Sequence, residues 1–407
     1  MVATTTWQTG ACSLAVSALL LAATVCGSDR SNPVQSSSSA SDAYTFLYNM
    51  MDTYGSGSTM RLPPSYVTTT AFEAGDVAYV YDSDVAIIAL LKRGNTTDLA
   101  RAEVMGNAII YAQVHDPAGD GRIRNSYHTD PLIRPNGAVN INDTGGYTGN
   151  EAWTGMALMQ LYHATGVTSY LTAAESLAVY IQTTAYSVTG SGGYTAGTNA
   201  AGRKLTYKVT EHQIDLYGFF TMLDQASGNS AYTADAAHAY DELMALWNAS
   251  GGYYYVGTLG DGATIYKALN LTPEDIQSWS YLATHLSSHQ QSIDWALSNL
   301  SVTGGPFGGV EFDVGDNNSG VWFEGTAHMA AALRIRALAA DDETAALLIS
   351  DLGKAQSYGP NTNGLGIIAS SINGLQAGRS DQYDSALHVG TTAWYCLAAE
   401  SANPFTF

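Results

Sequence analysis

The sequence predicts an all-α domain whose helices close into a ring of hairpins. Three observations predict it. Apolar runs of helical length recur along the chain, with starts near residues 81, 150, 211, 277, 324 and 391. Each opens on polar and aromatic residues and is followed by a second, more amphipathic run or by the end of the chain. A loop rich in Gly and aromatic residues then leads to the next unit. Repeats of this kind mean stacked or closed helical units, because one hairpin cannot bury its own apolar face.

The first runs are YDSDVAIIALL from Tyr81, GNEAWTGMALMQLY from Gly149, TEHQIDLYGFFTML from Thr210, IQSWSYLAT from Ile276, WFEGTAHMAAAL from Trp322 and TTAWYCLAA from Thr391. They are apolar nearly all round, as expected of helices covered on most sides. The second runs start at Asp98, Ser169, Ala231, His289 and Asp342 and keep one polar face. That pattern predicts an inner layer of six helices and an outer layer of five. ASDAYTFLYNMMDTY, from Ala40, supplies the sixth outer helix and is expected to pair with the last inner one, closing the ring. The intervening loops, such as ASGGYYYVGTLGDG and TGGPFGGVEFD, combine Gly with Tyr, Phe and Val and predict short β-hairpins.

Ahead of this domain, residues 13–25 form an apolar segment too short for the ~20 residues of a membrane span. Residues 1–27 are expected to be a signal peptide, although residues 1–12 hold no Lys or Arg. Residues 28–41 (SDRSNPVQSSSSAS) are expected to be a Ser-rich linker, leaving 42–407 as one domain. Cleavage would remove Cys12 and Cys26, so Cys396 would remain as a core thiol with no disulfide partner. The expected location is extracellular. In a eukaryotic secreted chain, Asn95, Asn142, Asn248, Asn270, Asn299 and Asn317 would be glycosylation sequons.

Charged residues are only 13% of the chain and the net charge is -20. Sixteen Lys and Arg without a basic run exclude a nucleic-acid partner. The same balance disfavours an anionic ligand and suits a neutral one. No cofactor or metal is expected, and DPAGDGR, from Asp116, is read as a plain turn because it lacks the ligand spacing of a calcium loop. The expected form is a monomer free of membrane.

The inner starts Tyr81-Asp82-Ser83-Asp84, Asn150-Glu151-Ala152-Trp153, Glu211-His212-Gln213-Ile214-Asp215 and Trp322-Phe323-Glu324-Gly325 give the chain its family likeness. In architecture the sequence resembles the six-hairpin (α/α)6 toroid superfamily of glycoside hydrolases, sugar epimerases and some polysaccharide lyases. The resemblance implies a carbohydrate site at the end of the ring where the inner helices start. It implies no particular family.

Glycoside hydrolysis needs two carboxyl groups across the scissile bond. The catalytic candidates are Glu211, Glu324, Asp82 and Asp215. Asp215 lies at i+4 from Glu211, so the pair is expected on one face. Of Asp82 and Asp84 only one can face the centre, and Asp82, beside Tyr81, is preferred. Tyr81, Glu151, Trp153, His212, Trp279, Trp322 and Trp394 are the candidate substrate contacts, with aromatic faces suited to sugar C–H surfaces. Acids at helix starts also favour the helix dipole, so each has a purely structural alternative.

A lyase or epimerase would instead use a base such as His212, or His128 with Arg122, Arg124 and Tyr127, or His388 with Arg379 and Tyr383. A non-catalytic glycan-binding protein is the third reading. The leading reading is a secreted glycoside hydrolase acting on a neutral oligo- or polysaccharide.

Overall fold

The computed structural model describes residues 40–315, 320–378 and 381–407. The expected signal peptide, all of the expected linker before Ala40, the Asn317 sequon and Arg379 lie outside the described residues. Helix α1 already begins at Ala40, two residues inside the stretch expected to be linker. It starts there because Ala43, Tyr44, Phe46 and Leu47 form a buried helical stripe that the first turn leads into.

Twelve α-helices are found among the described residues. They are α1 (Ala40–Met51), α2 (Val80–Arg93), α3 (Thr96–Val114), α4 (Thr148–Thr165), α5 (Thr168–Thr184), α6 (Thr210–Ser227), α7 (Ser230–Ala245), α8 (Asp275–Thr284), α9 (Gln291–Leu300), α10 (Phe323–Arg336), α11 (Asp341–Tyr358) and α12 (Val389–Ala399). The even-numbered helices pack in sequence, α2 on α4 and onward to α10 on α12, and α12 returns to α2. That is a closed ring of six. Each inner helix carries one outer helix, and α1 covers α12. The expected all-α toroid of six hairpins is the observed fold.

Position in the ring explains the apolar patterns. Every residue of α10 from Phe323 to Leu333 is buried, because ring neighbours and α11 cover all its sides. Outer α9 buries Ser292, Ile293, Ala296 and Leu300, a single stripe at helical spacing. Inner helices α2 and α4 stop at Gly94 and Gly166, both left-handed, where glycine satisfies the helix end without strain. Outer α3 starts on a capping box made by Asn95 and Asp98.

Closure through α1 has its own fastening. The Tyr44 hydroxyl donates to the Ala89 carbonyl of α2 at 3.1 Å. The Arg93 guanidinium lies 3.5 Å over the Tyr44 ring and grips Asp98 with two bonds of 2.7 and 2.6 Å. Tyr48 also donates to Asp98, which is fully buried. The first helix and the first hairpin are thereby held together, while α1 also packs on α12.

The middle of the ring is filled by aromatic rings. Trp153 lies 5.1 Å from Trp279, and Trp279 stacks on Trp394 at 5.6 Å between centroids. Phe405, from the segment after α12, packs against Trp153 at 5.3 Å. That segment is tied across several inner helices: Gln160 donates to the Pro404 carbonyl, Asn403 to Leu282, and Lys92 to the Thr406 carbonyl. The toroid therefore has one plugged end and one open end. At the open end sit short strands. Val77–Tyr79, Ser126–His128 and Ile141–Asp143 form a three-stranded antiparallel sheet, and Leu375–Ala377 pairs with Asp381–Tyr383. No described helix is long and apolar enough to cross a membrane.

Candidate active site

The inner helices present their N-terminal turns to a cavity of about 670 Å³ at the open end. Helix α2 contributes Tyr81 and Asp82, α4 contributes Asn150 and Trp153, and α6 contributes Glu211. Helix α8 adds Asp275 and Trp279, α10 adds Glu324 and His328, and His388 stands at the N-cap of α12. Trp322, Phe312, Tyr66 and the hairpin residue Tyr383 complete an aromatic wall.

Glu324 is the hub of the cavity. It is 2% exposed. Its Oε1 accepts the Tyr81 hydroxyl at 2.7 Å and lies 3.7 Å from His328 Nε2. Its Oε2 lies 3.5 Å from His388 Nδ1. Trp394 donates its indole N–H to the Tyr81 hydroxyl at 2.8 Å, so the tyrosine is oriented from behind. Gly325 allows this crowding: a Cβ there would fall 2.2 Å from the Trp322 ring. Burial alone would raise the Glu324 pKa, but His328, His388 and Tyr81 outweigh it and hold the carboxyl below its ordinary range.

His328 sits between two carboxylates, Glu324 and Glu274, whose Oε2 is 3.2 Å from its Nδ1. Burial disfavours its charge, yet these partners push its pKa up to about 9. His388 faces Asp82 Oδ1 through Nε2 at 3.1 Å and stacks under Tyr66 at 4.1 Å. Burial opposes its protonation, and Asp82 and Glu324 overcome that, raising its pKa.

Glu211 is affected the other way. Burial, helped by nearby Glu324 and opposed by His328, raises its pKa to about 7. Asp275 is likewise raised well above the ordinary range, by burial and then by Glu211 and Glu274. The cavity thus holds Glu324, kept ionised, beside Glu211 and Asp275, both pushed toward the protonated form.

The expected residues divide into two groups. Glu211, Glu324, Asp82, Tyr81, Trp153, Trp279 and Trp322 all line the cavity. Trp394 stands one layer behind, against Tyr81 and Trp279. Glu151, His212 and Asp215 lie outside the lining. Glu151 is fully buried and accepts the Ile123 amide. Asp215 sits one turn deeper than Glu211 and is fully buried. Gly149 lets His212 and Asp215 pack behind α4, since a Cβ there would meet both. A four-residue step turns a helix by about 40° past a full circle and carries it ~6 Å along the axis, enough to leave a cavity at the helix end. His128 pairs with Asp76 on the strand side and is not part of the lining. Asp116 and Asp120 in the expected turn are engaged by Arg124 and Arg122.

Asp275, His328 and the hairpin residues Asp381 and Asp384 were not singled out by the sequence. Pro273-Glu274-Asp275 carried a helix-start signal, with Pro followed by acids. His328 lies at i+4 from Glu324 and so shares its face.

No family model matches the chain, and no curated protein matches it. Solved structures do. Cellobiose 2-epimerase from Bacillus thermoamylovorans is similar at a TM-score of 0.64 and 12% identity, over 87% of this chain and 94% of that one. A family 76 glycoside hydrolase (mannosidase) from Bacteroides thetaiotaomicron is similar at 0.61 and 14%, over 89% and 98%. A glycosidase variant with a glutamate replaced by alanine, solved in complex with glucose, gives 0.61 and 11%, over 89% and 95%. The chain has the six-hairpin toroid fold. In this toroid the cavity occupies the end at which the inner helices begin.

Proposed function

We propose that this protein is a glycoside hydrolase in which Glu211 is the general acid and Glu324 the ionised partner. The observation that carries the reading is the opposite displacement of these two carboxyls within one cavity. Glu211, protonated near pH 7, delivers its proton to the glycosidic oxygen as the C–O bond breaks. Glu324, ionised and held by Tyr81, either attacks the anomeric carbon or takes a proton from the attacking water. The aromatic wall supplies faces for the sugar rings. Similar structures named as glycosidases and a sugar epimerase support a sugar-active role on this fold. Secretion is part of the same proposal and rests on the N-terminal sequence alone.

Two imidazoles beside Glu324 favour one second reading, a sugar epimerase using His388 as base. Turnover against a panel of oligosaccharides separates the two enzymes: hydrolysis creates new reducing ends, and epimerisation leaves the mass unchanged. Glu211→Gln and Glu324→Gln are each expected to lower hydrolysis by about 10²–10⁴-fold while keeping the fold. Parent-level hydrolysis in both variants, with an unchanged melting curve, would discard this acid/base assignment. NMR of the first anomer released then tells which role Glu324 plays.

A further inference from the structure

We propose that the mouth of this cavity is a subsite for a sugar carrying a free amino group, so that the glycan it takes is a basic one. The inference rests on the glycan-active reading of the cavity and narrows its substrate class. It also departs from the expectation of a neutral substrate.

Charge is distributed unevenly with depth. On the floor, Asp82 is matched by His388, and Glu324 lies between His328 and His388. At the mouth, Asp143, Asp381 and Asp384 line the same cavity. These three are half-buried or exposed, unlike the buried floor. Among the described residues no Lys or Arg lines the cavity. Asp143 and Asp381 come from different strands, yet both act on the phenols of Tyr79 and Tyr147. Burial comes first, and these carboxylates add to it in holding the two phenols above the tyrosine range.

An independent observation points to a ligand in the cavity. Trp322 is 2% exposed and lines the cavity, and its indole N–H finds no acceptor among the described residues. A buried donor of this kind calls for an acceptor, such as a sugar hydroxyl. Trp322 also stacks with Tyr383 at 5.8 Å and meets Phe312 at 4.8 Å. A ring laid on this wall stands beside Asp384, the residue after Tyr383. A ring amine is the group that turns carboxylates with no Lys or Arg partner among the described residues into an attraction, where an anionic sugar would be repelled.

The test compares oligosaccharides in matched sets: gluco, galacto and manno backbones, each with a free amine, an N-acetyl amine or a hydroxyl at carbon 2. Binding is read by calorimetry and cleavage by reducing ends, at about 20 mM and 500 mM salt. The amino form of at least one backbone is expected to bind more tightly than its two counterparts, with the advantage shrinking at high salt. The paired substitutions Asp143→Asn and Asp381→Asn should cut that advantage by roughly 4- to 25-fold, at 2- to 5-fold for each exposed carboxylate. Equal or weaker binding of every amino form overturns the proposal, as does an advantage untouched by the two substitutions. Amine-selective binding with no cleavage would leave the subsite standing and remove the hydrolase reading. Cleavage confined to hydroxyl or N-acetyl forms would do the reverse.

Discussion

Glu324 and Glu211 are the same residue type in first turns of two inner helices, and their surroundings separate them. Glu324 has two imidazoles and a phenol beside it, while the interaction that weighs most on Glu211 is burial. The sign of the resulting pH dependence follows. In the proposed mechanism Glu211 must keep its proton, so activity is expected to fall as pH rises through about 7. Glu324 must lose its proton, so activity falls again only below its lowered pKa, under the ordinary 4.5. A kcat/KM profile is expected to be bell-shaped, with its basic limb near pH 7 and removed in Glu211→Gln. Of these residues, Glu211 and Glu324 were legible in the sequence because acids opened apolar runs. Asp215 lies one turn further along the helix than Glu211 and outside the lining, because i+4 spacing fixes a shared face but says nothing of depth along the helix. His328 was overlooked inside an apolar run, although its spacing from Glu324 was there to be read.

Among the elements, the inner helices were the most legible. Their all-round apolar character follows from being enclosed, and no other position in this fold gives it. Short hairpins were expected in the loops, but the placing of Tyr383 and Asp381 at the cavity was not legible, since the direction of their hairpin is set by contacts far away in sequence. Helix α1 was predicted as a late partner of α12, and the contacts of Tyr44, Tyr48, Arg93 and Asp98 are what fasten it. Arg93→Ala would leave Asp98 fully buried without its guanidinium. The expected cost is about 3 kcal/mol, read as a lower denaturant midpoint with an unchanged slope. Arg93→Lys should recover only part of it, because an ammonium cannot reproduce the two-bond grip.

Over the whole molecule, a net charge of -20 is carried on a chain with only 13% charged residues. Few cations are available to offset the carboxylates, so self-repulsion acts against the compact state. Raising salt from about 20 to 500 mM, which shortens the screening length several-fold, is therefore expected to raise the melting temperature. A flat or falling response would mean that local ion pairs such as Arg336 with Asp341 dominate instead. Composition predicted this charge imbalance but not its location, because only the folded ring separates a compensated floor from an acidic mouth.

The packing of α1 against α12 also bears on how the molecule is made. Synthesis delivers α1 ahead of every other helix described and α12 after all of them, so α1 has to wait for the inner helix it packs on. The entropic cost of joining such distant segments grows only slowly with their separation, but it falls due before the joining contacts form. His388 reaches Asp82 and Glu324 in that same final event. A nascent chain therefore holds most of its helices before it holds the cavity, and the proposed site is completed only with the closing of the circle.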